Sequence, residues 1–384
     1  MASPIKIVDD YILGGAPNVR LTPNFRLSEF RQANGQVFVH RELVASLQLL
    51  RDNIGSPIRI QTRGLEWREA DLVTGLSVGI ATKHKQRLIP ELKALVKLGY
   101  FKNYQYANNI LLVTIHPPHR LPALPAAKAF EHILAVTAAF ETTGDPFQQV
   151  TGNFDGAGLS FGPIQVNLQS GSLQALFQRL RDEDEACLRG CFDKDADYQF
   201  FWQILDGPIA QATQWANQQS YGRRNQSVRQ PWKRNLQSVG QQPAFRTAMS
   251  RFAFEEYGKL LKSALAFVQR LSPVRISNLR CLAALYDMGV QQGKLEKAFS
   301  PIRNRVETEA PTDEFSLTRI VVEERAKKAT RQWRADCLSR RLSILERRPV
   351  TVNLYGQKVR RKNTRLYLLR DSAVEGVSEF FADH

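Results

Sequence analysis

Apolar residues along the chain recur mostly at helical spacing, interrupted by a few alternating runs that read as strands. In VHRELVASLQLLRDNIG, Leu43, Leu47 and Leu50 share one face and Asn53-Ile54-Gly55 supplies a stop, so a helix is expected. Ile58-Arg59-Ile60-Gln61 alternates like a strand. RLIPELKALVKLGYF returns to the helical period, and the apolar run from Asn109 to Ile115 reads as another strand. HPPHRLPALPAAK, residues 116–128, then places four prolines in thirteen positions. Such a segment is extended and semi-rigid, and it marks a domain boundary.

Beyond it, AKAFEHILAVTAAFE is helical, with Leu134 and Glu141 seven positions apart. That spacing leaves them about 20° from a common face, with Phe130 and Thr137 nearby. A glycine-rich stretch follows, VTGNFDGAGLSFGPIQ, in which Gly152, Gly156, Gly158 and Gly162 permit sharp turns and close approach to a ligand. Helical patterns cover 197–219, where Pro208 should break the run, and 244–271, which Ser272-Pro273 ends. The tail, 350–371, is basic and strand-like around VTVNLYG and RLYLLR. The expectation is an α+β chain of two domains. Residues 1–117 form a small mixed α+β domain, 118–127 a Pro-rich linker, and 128–384 a mainly helical domain with a glycine-rich β-hairpin. A length of 384 residues fits two cores.

With 43% apolar and 23% charged residues the composition is that of an ordinary globular protein. Nowhere is there a run of roughly eighteen apolar residues, so no membrane span is expected. Asp9 and Asp10 sit where a cleavable signal needs an apolar core, which points to synthesis in the cytoplasm without such a signal. Cys187, Cys191, Cys281 and Cys337 are few and irregularly spaced, and Cys-x3-Cys without a nearby His is a poor zinc signature. They read as buried thiols, and neither a metal nor a cofactor is expected. The net charge of +16 changes the picture, because it implies affinity for a polyanion.

Two carboxylates offer chemistry. Glu141, at the edge of a buried stripe, is partly desolvated; this raises a carboxyl pKa and suits a general acid. A helix-terminal Glu bonded to backbone or to an Arg is the plainer alternative. Asp155 before Gly156 is also a natural turn pair. A Glu ending a helix, a glycine-rich hairpin and then Gly162-Pro163-Ile164-Gln165 together resemble the lysozyme-like superfamily. FDGAG resembles the Asp-Gly-x-Gly segment of its chitosanase branch, and CLAALYDMGVQQGKL (281–295) resembles that branch's Tyr-Asp-x-x-Val-x-x-Gly helix. RQWRADCLSRRLSIL (331–345), followed by Tyr355-Gly356, is similar to lysozyme-like cell-wall proteins. The likeness covers most of 126–360, in order.

The resemblance implies an acid/base glycosidase in which Glu141 protonates the leaving oxygen and Asp155 positions the water. Ser160 and Gln165 would hydrogen-bond sugar or water. Thr151 is a further candidate, Asp145 is a rival second carboxylate, and Asp287 belongs to the binding set. The first domain resembles D-Ala-D-Ala carboxypeptidases of the zinc type in LTPNFRLSEF, VHRELVASLQLLRDNIG and PIRI. The turn that leads to the zinc ligands is replaced by Thr62-Arg63-Gly64, GLSVGIATK carries neither ligand, and His116 is out of place. The implied domain keeps the fold, has lost the peptidase activity, and serves in binding, docking or packing.

Chitosan is a polycation that +16 would repel, whereas peptidoglycan and its attached polymers are anionic. Basic clusters lie at Arg223, Arg224, Arg229, Lys233 and Arg234, and again through Arg340, Arg341, Arg347, Arg348, Arg360, Arg361 and Lys362. The expected function is thus a peptidoglycan hydrolase, a bacteriolytic muramidase acting on the glycan strands of a target cell's wall or periplasm. It would be injected or secreted by a delivery apparatus such as a phage tail, a type VI system or a contractile-injection system, with an immunity protein as a possible second partner. The alternatives are a chitosanase and a non-enzymatic cell-wall or polyanion-binding protein. Tyr221, Trp232 and Trp333 interleave the basic runs as in nucleic-acid binders, although solvated helix faces account for those charges more simply.

Overall fold

The computed structural model describes all residues except 1–5, 9, 33–35, 62–74, 82–84, 108–109, 117–120, 141–143, 155 and 378–384. Helices and strands mix throughout, which makes the protein α+β. The chain divides into two compact units. One is Met1–Pro125 with Ser277–Arg280 and Thr364–Gly376; the other is Ala126–Ile276 with Cys281–Asn363 and Val377–His384. The first division thus lies inside the Pro-rich segment. The first unit also takes back two pieces that follow the linker in sequence, for which no composition shift gives a signal.

In the first unit, β1 (Lys6–Val8), β2 (Tyr11–Gly14) and β3 (Val39–His40) form an antiparallel sheet. Helix α1 (Arg41–Ile54) follows directly, and the His40 ring accepts from the Glu42 N–H at its start. The Leu43, Leu47 and Leu50 stripe is buried as its spacing predicts. Gly55 ends the helix at φ +62°, where a side chain would be strained. Strands β4 (Arg59–Gln61) and β5 (Ser77–Ala81), helix α2 (Lys85–Lys97), and strands β6 (Asn103–Ala107) and β7 (Ile110–Thr114) complete the core. The strands form an antiparallel sheet in the order β4-β5-β7-β6, and α2 packs on α1. The short strand β8 (Leu124–Pro125) pairs in parallel with Val374–Glu375, while the Val374 N–H donates to the Ser277 carbonyl at 2.9 Å. These bonds explain why the returning pieces belong here.

RLYLLR, expected as strand-like in the second domain, is instead a 3-10 turn over Leu366–Leu368 in the first unit. Short apolar runs do not distinguish a strand from a buried turn. Here the polar groups decide, because Arg365 and the Tyr367 hydroxyl both bond Asp52 of α1.

The second unit is built on helices α3 (Ala126–Ala138), α4 (Ser172–Gly190), α5 (Asp195–Asp206), α6 (Ile209–Gln219), α7 (Trp232–Val239) and α8 (Pro243–Gln269). They are followed by α9 (Leu279–Gln292), which belongs to this unit from Cys281 onward, α10 (Phe299–Glu309), α11 (Glu314–Lys327) and α12 (Arg334–Glu346). Gly207-Pro208 splits α5 from α6, as the proline predicts. Helix α8 is the spine: it packs on α3 and α4, and Phe254 lies 4.2 Å from the ring of Phe130 and 6.3 Å from that of Tyr286. Strands β9 (Val150–Thr151), β10 (Ser160–Phe161) and β11 (Val166–Asn167) form a three-stranded antiparallel sheet in the stretch where the sequence predicts a glycine-rich β-hairpin. Phe161 fixes it to the helices, with its ring 5.7 Å from Phe177, which in turn meets Phe201 at 5.0 Å. Two further hairpins, β12 (Ser220–Tyr221) with β13 (Ser227–Val228) and β14 (Thr351–Leu354) with β15 (Gln357–Arg360), complete the unit. The second turns at Tyr355-Gly356, both with positive φ, which matches the twist of its strands. No two of the four cysteines are bridged; three are buried and Cys187 is half-buried.

Candidate active site

Helix α3 ends at Ala138, and Ala139 and Phe140 continue as a turn. Glu141 follows, and both it and Asp155 lie outside the described residues. The chain up to Phe140 is held with unusual thoroughness. A helix leaves its last carbonyls without intrahelical partners. Here the Val136 carbonyl accepts from Asn363 at 2.8 Å, the Thr137 carbonyl from Arg340 at 3.4 Å, and the Phe140 carbonyl from Arg361 at 2.6 Å. The Arg340 guanidinium also lies 4.7 Å from the centre of the Phe140 ring. Cations suit a helix C-terminus, where the carbonyl dipoles converge.

These arginines belong to a buried charge network. The Asp287 carboxylate, on α9, is wholly buried; it accepts from Arg340 at 2.7 Å and lies 3.5 Å from the Arg341 Nε. Arg341, equally buried, donates to the Gln291 side chain at 2.8 Å, and Gln291 donates to Asp336 at 3.0 Å. Asp336 accepts from Arg361 at 2.9 Å, and Arg361 returns to the Phe140 carbonyl. The path from Asp287 through both arginine routes therefore closes on the last turn of α3. Burial also pushes the neighbouring Tyr286 phenol well above its ordinary pKa, and its hydroxyl donates to the Ala253 carbonyl at 3.3 Å.

Of the expected binding residues, the structure brings three together on the small sheet. Thr151 stands opposite Ser160, which in turn stands opposite Asn167. The Thr151 hydroxyl donates to the Gln165 side-chain oxygen at 2.9 Å, and the Gln165 amide donates to the Gly162 carbonyl at 2.7 Å. Gln165 itself adopts a positive φ of 52°, so the strand turns sharply just where its side chain is presented. Ser160 is buried, whereas Thr151 and Gln165 are half-buried. The loop that carries position 155 is closed by a 2.9 Å bond from the Gly158 N–H to Asn153.

Asp145 and Asp287 sit elsewhere. Asp145 caps the 3-10 turn at Pro146–Gln148: one oxygen accepts from the Phe147 N–H, and the other takes Gln148 and Arg246 of α8. Both of its oxygens are engaged in holding the turn. Asp287 lines no surface, and its contacts are the two arginines already described.

Arg340, Arg341, Arg361 and Asp336 were missed as site residues. Arg340, Arg341 and Arg347 of the C-terminal basic cluster are buried. A signal was available, since Arg341 shares a helical stripe with Cys337, Ile344 and Leu345. An arginine on an apolar stripe must find a buried partner. In the first unit, Thr62, Arg63 and Gly64 lie outside the described residues, and His116 is half-buried with its pKa lowered by burial and by Arg370 and Lys102. Among the described residues no group of three or more His, Cys, Asp or Glu could hold a metal ion. No described helix is long and apolar enough to cross a membrane. A cleft of about 650 Å³ is lined by Phe267, Arg270, Phe299 and Arg303 and by none of the expected site residues.

No family model and no curated protein matches the chain. Among solved structures it is similar to the GH46 chitosanase of Gynuella sunshinyii in complex with chitotetraose. The identity is 16%, the match covers 62% of this chain and 98% of that one, and the TM-score is 0.36. It is also similar to the native chitosanase of Bacillus subtilis MY002, at 14% identity over 62% of this chain and 100% of that one, with a TM-score of 0.33. Likenesses this distant carry neither fold nor chemistry across, so the functional reading rests on this chain's own residues.

Proposed function

We propose that the second unit is a lysozyme-like glycoside hydrolase that cuts β-1,4 bonds in peptidoglycan, with Glu141 as general acid and Asp155 as general base. The observation that carries this reading is the arginine-held terminus of α3. Three side chains fix the carbonyls of Val136, Thr137 and Phe140, at the end of the helix that precedes Glu141 in the sequence. General acid catalysis needs a proton donor fixed within hydrogen-bond reach of the leaving oxygen. The ordered match of helix end, glycine-rich hairpin and Tyr286-Asp287 helix supplies the rest.

Glu141 gives its proton to the glycosidic oxygen as the C1–O bond breaks, and Asp155 takes a proton from the water that attacks C1 from the opposite face. The Thr151–Gln165 pair, tied by its own hydrogen bond, supports the placement of that water or of the sugar. Asp287 and Asp336 hold Arg340 and Arg361, the arginines that bond the Thr137 and Phe140 carbonyls. In this reading Asp287 positions the acid, and Asp145, already bonded to Arg246, is structural.

The first unit would serve as a wall-binding relative of the D-Ala-D-Ala carboxypeptidases. Action on another cell's wall calls for delivery, for which a phage tail, a type VI system or a contractile-injection system is suited. The test is a zymogram on purified peptidoglycan. Glu141→Gln should abolish clearing with the circular dichroism spectrum unchanged, and undiminished lysis by that variant refutes the reading. Oligomers released from chitosan but not from peptidoglycan would reassign the substrate.

A further inference from the structure

From Gly207 to Phe254 the chain holds no Asp or Glu in forty-eight residues, but seven Lys and Arg. Three of the seven find carboxylates from other segments: Arg234 with Asp193, Arg246 with Asp145, and Arg251 with Glu183. Arg223, Arg224, Arg229 and Lys233 pair with no carboxylate among the described residues. The three arginines are exposed and are gathered on the β12–β13 hairpin, which reverses through Arg224 and Asn225, both at positive φ. Arg229 lies 5.4 Å over the ring of Tyr221, itself exposed.

This hairpin is joined to the loop that carries Asp155. The Gly152 N–H donates to the Gln226 carbonyl at 3.1 Å, and the Asn153 N–H donates to the Ser220 hydroxyl at 2.8 Å. A side-chain carbon at Gly152 would stand 2.4 Å from the Asn225 carbonyl oxygen, so the two backbones are as close as glycine permits. Phe154, next in the loop, is exposed. Two aromatic rings and three guanidinium groups therefore share one rim of the proposed site. Planar guanidinium groups match carboxylates in geometry and charge.

We propose that this hairpin is the specificity arm of the site: Arg223, Arg224 and Arg229 bind carboxylate groups of an anionic glycan, while Phe154 and Tyr221 stack on its sugar rings. This rests on the glycosidase reading and deepens it. The arm selects peptidoglycan, whose stem peptides bear carboxylates, and repels the ammonium groups of chitosan. The sign of the net charge acts through these residues rather than through the C-terminal arginines, several of which are buried.

The test is binding, not turnover. Arg223→Gln, Arg224→Gln and Arg229→Gln are combined in the Glu141→Gln background, and sedimentation with purified sacculi is followed across a salt series. Expected are about tenfold weaker binding, a shallower salt dependence and an unchanged unfolding midpoint. Undiminished binding overturns the proposal, and so does an equal loss on neutral chitin. Sacculi stripped of phosphate polymers should bind as intact ones do; loss on stripping moves the ligand from carboxylate to phosphate and overturns the assignment. Single-stranded DNA that outcompetes sacculi for the arm would make it a nucleic-acid surface instead. Because the background variant already lacks the proposed acid, failure of lysis in Glu141 variants and failure of binding in arginine variants are read separately.

Discussion

Asp287→Asn tests whether the charge network governs the site. The wild-type carboxylate is wholly buried between Arg340 at 2.7 Å and Arg341 at 3.5 Å, and Arg341 is as buried as its partner. The amide keeps the shape and can keep one hydrogen bond, but it leaves two guanidinium groups without their shared counter-charge. Removing one partner of a buried ion pair costs about 3–5 kcal/mol. For a unit of this size each kcal/mol moves the unfolding midpoint by roughly 2–4 °C, so a fall of about 6–20 °C is expected by calorimetry. Activity carries a second signature. With Asp287 neutralised, Arg340 loses the partner that holds it beside the Thr137 carbonyl at the end of α3. Lysis measured at a temperature where the variant stays folded should therefore fall as well. The double variant Asp287→Asn/Arg340→Gln should cost less than the sum of the two single variants, because the charge left unpaired is also removed. A loss below about 1 kcal/mol for Asp287→Asn, with undiminished lysis, refutes the network as a support of the site.

Gly152→Ala should push the small sheet and the β12–β13 hairpin apart, since the new carbon meets the Asn225 oxygen at 2.4 Å and the Ser227 oxygen at 2.8 Å. A cost of about 1–3 kcal/mol in denaturant unfolding is expected, together with a marked loss of lysis; unchanged stability counts against the close approach. Asp313→Ala removes the cap of α11, where the carboxylate accepts from the N–H groups of Phe315 and Ser316, and should cost about 1 kcal/mol. The Ser316 hydroxyl and those N–H groups hold the Asp313 pKa below its ordinary 3.8. The cap's contribution is therefore present above that value and is lost as the pH falls through the lower, folded-state pKa. A pH titration of stability that shows the same loss in wild type and variant refutes this assignment.

Much of the fold was legible because it depends on local rules. The leucine stripe of α1, the stop at Gly55, the break at Gly207-Pro208 and the glycine-rich sheet all follow from side-chain spacing and backbone conformation. The proposed site was legible only in part. The Thr151–Gln165 bond joins residues on neighbouring segments, so their sequence neighbourhood already suggested it. Asp287 and Arg340 are 53 positions apart, and Arg361 and Phe140 are 221 apart. No periodicity links such pairs.

The sequence by itself determined the leucine stripe of α1 and its stop at Gly55, the break at Gly207-Pro208, and the +16 charge. Only the tertiary structure decided what the charges do. It buried Arg340 and Arg341 against Asp287, used Asp145 as a cap bonded to Arg246, and left Arg223, Arg224 and Arg229 exposed beside the glycine-rich loop. It also returned residues 364–376 to the first unit. The physical reason is the same in each case. The depth of a charge and the identity of its partner arise from packing between segments remote in the chain, and an arginine has the same letter at the surface as in the core.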